Sequence, residues 1–226
     1  TADIIPDYMQ AVASFVDAEA IRAAHLRVVV DPMGGAAQGY LADLLRELGV
    51  EVHEIHAGQA SDQEDICPDP VEPWVDACEH TVIEDGACAG LVTDGDADRL
   101  GVIDEKGAFL HPNTLLVLLY YYLLKYRGWS GPCVRNNSTT HLLDRVAKDM
   151  GQQCYEVPVG FKYISAKMAE TNAVIGGESS GGLAVRGHIA GKDGIYAAAL
   201  LVEMLAVTGK SVSQLYREIT DKYGML

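Results

Sequence analysis

Apolar residues recur at helical spacing across residues 4–22, at Ile5, Met9, Val12, Phe15 and Val16, so the first segment reads as one amphipathic helix. Residues 26–30 are continuously apolar, the pattern of a strand covered on both faces. A turn at 31–35 leads into a helix over 36–48 that Gly49 stops, and a second strand follows at 50–55. Pro68, Pro70 and Pro73 mark 57–73 as a polar linker. The interval 71–83 contains a helix, 87–93 is a strand, and 100–104 pairs back as an antiparallel edge. The alternation then repeats. Helices are expected at 113–126, 140–150, 163–170, 194–207 and 212–223, and strands at 133–136, 153–157, 173–176 and 183–186. Strands alternating with helices give an α/β fold: two consecutive α/β/α sandwich domains with mixed, mostly parallel sheets. They are expected at 1–110 and 111–226, dividing near His111.

Composition changes this picture little. A chain of 226 residues with 49% hydrophobic residues suits two domains with real cores. The longest apolar run, 115–124, falls short of the ~20 residues a membrane span requires. Tyr120, Tyr121 and Tyr122 within it are expected to pack a helix against a sheet. The chain starts at Thr1 with neither an initiator methionine nor a secretory leader, and it reads as a piece of a longer protein. Cys67, Cys78, Cys88, Cys133 and Cys154 are odd in number and form no Cys-x-x-Cys pair, which favours reduced thiols and the cytoplasm over disulfides or zinc. A net charge of −15 argues against nucleic acid as a partner.

The chemistry concentrates at Asp94-Gly95-Asp96-Ala97-Asp98-Arg99, between two apolar runs. Three carboxylates at alternate positions repel one another unless a cation joins them, and hard oxygen donors suit Mg²⁺ or Ca²⁺. Four readings are open. In a calcium loop of the EF-hand type Glu105 would be the twelfth position, but Arg99 stands where glycine is needed and strands stand where helices are needed. In a haloacid dehalogenase-type phosphatase Asp94 itself would attack a phosphomonoester. In the third reading the loop holds metal for a nucleophile supplied from elsewhere, and in the fourth it is a solvated acidic turn. Farther on, 174–182 runs from a strand into a glycine-rich loop, where Glu178 and Ser180 offer groups that suit sugar hydroxyls. Gly160-Phe161-Lys162 enters a helix, and Lys162 near its N-terminus could hold an anion. Arg186, His188 and Lys192 would make the rim of the glycine-rich loop electropositive within an acidic chain.

Together these segments resemble the α-D-phosphohexomutase family, which includes phosphoglucomutases and phosphomannomutases. The aspartate loop resembles the family's magnesium loop. Gly160-Phe161-Lys162 resembles its phosphate- and sugar-contacting loop, and Gly177-Glu178-Ser179-Ser180-Gly181-Gly182 its sugar-hydroxyl loop. Asp31-Pro32-Met33-Gly34-Gly35-Ala36 resembles the turn that opens its second domain. The resemblance implies domains II and III only. The family's phosphoserine motif, Thr-Ala-Ser-His-Asn-Pro, and its Arg-x-Ser-Gly-Thr phosphate clamp are both absent, and Ser138-Thr139-Thr140-His141-Leu142 reads as a helix cap.

The resemblance further implies interconversion of hexose 1-phosphate and hexose 6-phosphate through a hexose 1,6-bisphosphate, with the phosphoserine outside this chain. Asp94, Asp96 and Asp98 would hold Mg²⁺, and Arg99 would steady the phosphoserine side. Lys162 would act at the phosphate or ring oxygen, while Gly160, Glu178, Ser180 and Arg186 would contact substrate. Asp193 would orient the following helix. The chain alone is expected to be inactive. Gly182, where some relatives carry histidine, and an unusually acidic 61–67 leave the choice among glucose, mannose and glucosamine open. A non-catalytic sugar-phosphate-binding module is the remaining alternative.

Overall fold

A computed structural model describes residues 4–58 and 66–225; most of the acidic stretch, 61–65, lies outside the described residues. The elements run α1 (Ile5–Ser14), α2 (Ala18–Ala24), β1 (Arg27–Asp31), α3 (Tyr40–Glu47), β2 (Glu51–Glu54), α4 (Asp76–Asp85), β3 (Ala89–Thr93), β4 (Leu100–Ile103) and β5 (Phe109–Leu110). There follow α5 (Pro112–Lys125), β6 (Cys133–Asn136), α6 (Leu142–Asp149), β7 (Cys154–Val157), α7 (Phe161–Thr171), β8 (Ile175–Gly177), β9 (Leu183–Val185), α8 (Gly194–Thr208) and α9 (Val212–Tyr223).

Two mixed sheets result. The first has the order β2-β1-β3-β4-β5, with β1 parallel to β2 and β3, and β4 antiparallel to β3 and β5. The second has the order β7-β6-β8-β9, with β6 parallel to β7 and β8, and β9 antiparallel to β8. The expected mixed α/β fold is therefore present. Three expectations need correction. The first helix is two, because Asp17 restarts the chain by accepting the Ala20 N–H at its Oδ1 (2.9 Å). The helix expected over 36–48 begins only at Tyr40, after a turn with left-handed residues at Met33, Gly34 and Gly39. Finally, β4 is not the edge, since the two-residue β5 lies outside it.

One continuous apolar core runs through both halves of the chain. Val28, Leu41, Leu91 and Val102 belong to it, as do Leu119, Leu143, Leu201 and Ile219. The outer faces of the two sheets carry smaller clusters, around Val29, Val82 and Val92 under α4, and around Val134 and Ile164 under α7. Tyr120, Tyr121 and Tyr122 are buried and fasten α5 through their hydroxyls, which donate to Gly131 O, Glu218 and Glu203 respectively. Among the described residues no single helix is long and apolar enough to cross a membrane.

Candidate functional site

The turn between β3 and β4 lies at the carboxyl end of β1 and β3, where ligands of open parallel sheets collect. Asp94 is nearly fully buried, and Arg99 occupies both of its oxygens. The Arg99 backbone N–H donates to Oδ1 (3.0 Å) and the Arg99 Nε to Oδ2 (2.6 Å), while Nη1 donates to Asp69 Oδ1 (2.8 Å). Burial works against the Arg99 charge, but the hydrogen bonds and charges of Asp94 and Asp69 outweigh it and raise the guanidinium pKa above its ordinary value.

Asp94, Asp96 and Asp98 each bring one oxygen within 4.8 Å of the others. A plain solvated turn would let three like charges fan apart; this one converges them. The donor set, three hard carboxylate oxygens on a short loop, fits Mg²⁺ or Ca²⁺. It is not a calcium loop of the EF-hand type. Strands flank it, and Glu105 turns away to accept from the Ser211 hydroxyl (2.8 Å) and the Ser213 N–H (3.2 Å) at the start of α9. Nor does Asp94 stand free as a nucleophile: it is nearly fully buried and held by Arg99 at both oxygens, each of which keeps a second lone pair for a cation.

Neighbouring elements fix the loop's shape. The Ala36 N–H donates to Gly95 O (2.9 Å), tying in the turn after β1. Within that turn the Met33 N–H (2.8 Å) and His56 Nδ1 (2.9 Å) reach Asp31 Oδ1, and burial raises the Asp31 pKa despite them. From the other half of the chain, the first residue of α8 presses directly on the loop. The Gly194 N–H donates to Ala97 O (2.9 Å), and a Cβ at 194 would stand 2.7 Å from Arg99 O and 2.8 Å from Ala97 O, so only glycine fits. Lys192, two residues earlier, pairs with Asp98. Asp193 caps α8 by accepting from the Tyr196 N–H (2.9 Å), and also receives the Tyr8 hydroxyl (2.9 Å) and His188 Nε2 (2.6 Å). Burial opposes its ionisation, but these partners prevail and its pKa is lowered.

The glycine-rich loop adjoins the aspartate loop. The Leu100 N–H donates to Gly181 O (3.3 Å), and Arg99 and Gly182 form an isolated antiparallel bridge. Glu178 Oε1 accepts from Asn136 Nδ2 and from the Gly160 N–H, both at 3.2 Å, which gathers the ends of β6 and β8 with the start of α7. Ser180 is exposed on the rim. Lys162 is exposed in the first turn of α7, with its Nζ 5.0 Å from the Tyr163 ring centroid.

Arg186 is not brought to this cluster. It leaves β9 at the end of the β8–β9 ladder opposite Glu178, donates to Ser130 O and Asn172 O (both 3.1 Å), and lies over Trp129. His188 is buried on Asp193, so Lys192 alone of the three basic rim residues faces the aspartates. Sequence reasoning missed Asp69, which no spacing ties to Arg99. It also missed Asn136, whose place at a parallel strand's carboxyl end was an available signal. An open cleft of about 430 Å³ lies beside Asp96, Asp98 and Lys192, walled by Tyr8, Tyr40 and Ile189. A larger cleft of about 550 Å³ opens on Ser138, Thr139 and Thr140 and includes none of the aspartates.

The chain is similar to known proteins along nearly its whole length. Residues 6–107 match the family described as phosphoglucomutase/phosphomannomutase, alpha/beta/alpha domain II, and residues 111–223 match domain III. A phosphoglucomutase/phosphomannomutase of Thermococcus kodakarensis is 35% identical over 221 residues, covering 98% of this chain and 48% of the relative. A phosphoglucosamine mutase of Carboxydothermus hydrogenoformans is 34% identical over 201 residues, 86% of this chain and 44% of the relative. The crystal structure of a protein described as a phosphomannomutase, from Thermus thermophilus, superposes with a TM-score of 0.94 at 31% identity, covering all of this chain and 52% of that one. The chain thus spans about half the length of the curated relatives it matches.

Proposed function

Because the chain belongs to the phosphoglucomutase/phosphomannomutase family, we propose that it forms the metal-binding and sugar-contacting portion of a phosphohexomutase. The reaction proposed is the interconversion of hexose 1-phosphate and hexose 6-phosphate through a hexose 1,6-bisphosphate. The phosphoserine, with the family's domains I and IV, is supplied from outside this chain. The observation that carries the reading is the bridge between Arg99 and Gly182, which sets the aspartate loop edge to edge with the glutamate–serine loop.

We assign Asp94, Asp96 and Asp98 as ligands of Mg²⁺. Bound there, Mg²⁺ supplies Lewis-acid stabilisation of charge on a transferring phosphoryl group. Arg99, held by Asp94 and Asp69, keeps Asp94 aimed and is assigned to the phosphoserine side. Glu178, fixed by Asn136 and the Gly160 N–H, and Ser180 are assigned to the sugar hydroxyls, and Lys162 to a phosphate. Arg186 has no place in this assignment, because its guanidinium is committed to backbone carbonyls at the far end of the sheet. We further propose the division into domains at 1–110 and 111–226. Five free thiols fit a cytoplasmic setting.

Calorimetric titration of Mg²⁺ into the chain, with and without glucose 1,6-bisphosphate, tests the reading. Binding of both is expected, with loss of metal binding in Asp96→Asn and no turnover of glucose 1-phosphate by the chain alone. Metal binding unchanged in Asp96→Asn would remove the aspartates from the site.

A further inference from the structure

Lys192 spans the two loops of the site. Its backbone is held on both sides. Ahead of it His188 is locked onto Asp193, and behind it Asp193 caps α8 while the Gly194 N–H grips Ala97 O. Its aliphatic stem lies across Gly182 of the glycine-rich loop, so that a Cβ at 182 would overlap the Lys192 side chain. Its ammonium reaches Asp98, and each of these two side chains is about one-quarter exposed (25% and 27%). Arg99 meanwhile neutralises Asp94. Two of the three converging carboxylates thus carry a cation supplied by the chain itself, while Asp96 is exposed and has no ion-pair partner among the described residues.

We propose that Lys192 is a positioning residue that serves as the aspartate loop's resident counter-ion: it keeps Asp98 within the cluster and competes with a divalent cation for it. The proposal rests on the reading of the three aspartates as a metal site. The geometry carries it. With Asp69, which shares Arg99, four carboxylates face Arg99 and Lys192 and carry two net negative charges; without Lys192 they carry three, and a divalent cation arriving there meets one opposing charge fewer. A positive charge a few ångströms from a divalent ion lowers its affinity even in a water-like dielectric, and less so as salt screens it. Lys192 also does in the metal-free protein what the metal does in the loaded one, so the two are alternative ways of holding the same carboxylate. Domain III therefore contributes to metal affinity without contributing a ligand.

The test is Mg²⁺ titration by calorimetry, together with thermal unfolding at zero and saturating Mg²⁺, on the wild-type chain and on Lys192→Met, Lys192→Gln and Lys192→Arg. Lys192→Met and Lys192→Gln are expected to bind Mg²⁺ about five- to tenfold more tightly, as the loss of one nearby positive charge predicts. Both should melt below wild type without metal and converge with it at saturating Mg²⁺, while Lys192→Arg stays near wild type. Equal or weaker Mg²⁺ binding by Lys192→Met and Lys192→Gln, beside a wild-type chain that binds, overturns the proposal and leaves the metal site standing. A wild-type chain that takes up no Mg²⁺ overturns the metal reading and the proposal with it.

Discussion

Asp193 shows how much one side chain can hold together. Its carboxylate caps α8, takes the Tyr8 hydroxyl from α1, and binds His188 beside the ring of Tyr196, whose centroid lies 4.6 Å from that of the imidazole. Because these partners lower its pKa in the folded state, its contribution is fully present above the ordinary carboxylate pKa of ~3.9 and is lost as pH falls through the lower folded value. Asp193→Asn should therefore melt below wild type at neutral pH, with a gap that closes in the acid range below about pH 4, measured by thermal unfolding across pH. A constant gap across pH would mean that the charge plays no part. At this scale the sequence was legible where chemistry and spacing coincide. The alternating aspartates announce their own cluster, and Glu178 and Ser180 sit in a loop with paired glycines on both sides. It was illegible where partners come from distant segments. Asp69 and Arg99 stand thirty residues apart with nothing in the pattern to pair them, and Arg186, adjacent in sequence to the right loop, exits on the wrong end of a strand.

Among the elements, α8 binds the halves of the chain together, and its one carboxylate explains how. Glu203 is 1% exposed in the middle of this apolar helix. It accepts the Asp17 N–H at the start of α2 (2.8 Å), the Tyr122 hydroxyl from α5, and Arg127 Nε from the turn after α5 (2.6 Å). Glu203→Ala would leave Arg127 half-buried without its counter-ion and the α2 terminus without its acceptor, a loss of about 3–5 kcal/mol in denaturant unfolding. A loss under about 1 kcal/mol would show that solvent readily replaces the carboxylate. The apolar runs of α8, α5 and β1 were plain, and their lengths separated them: the first two are long enough for a helix and the last only for a strand. The break between α1 and α2 was hidden, because Phe15 and Val16 continue the apolar spacing past the end of α1 while Asp17 starts α2 by a local hydrogen bond. With only two residues, β5 has too few to show alternation at all.

For the molecule as a whole, the division into two sandwiches is written in the order of elements, whereas the shared core is not. Val12, Leu45 and Val102 of the first half lie in one apolar cluster with Leu116, Leu201 and Ile219 of the second, and Glu105 clasps the start of α9 from the β4–β5 turn. No pattern along the chain shows which apolar faces meet across such a boundary. Differential scanning calorimetry should give one cooperative transition, with calorimetric and van't Hoff enthalpies in agreement. Two separable transitions would show that each sandwich stands on its own core. The backbone bridge from Arg99 to Gly182 gives the same unity a mechanical meaning. The halves cannot part like jaws to admit a ligand without breaking main-chain hydrogen bonds between the aspartate loop and the glycine-rich loop. This pair of domains is therefore an anvil.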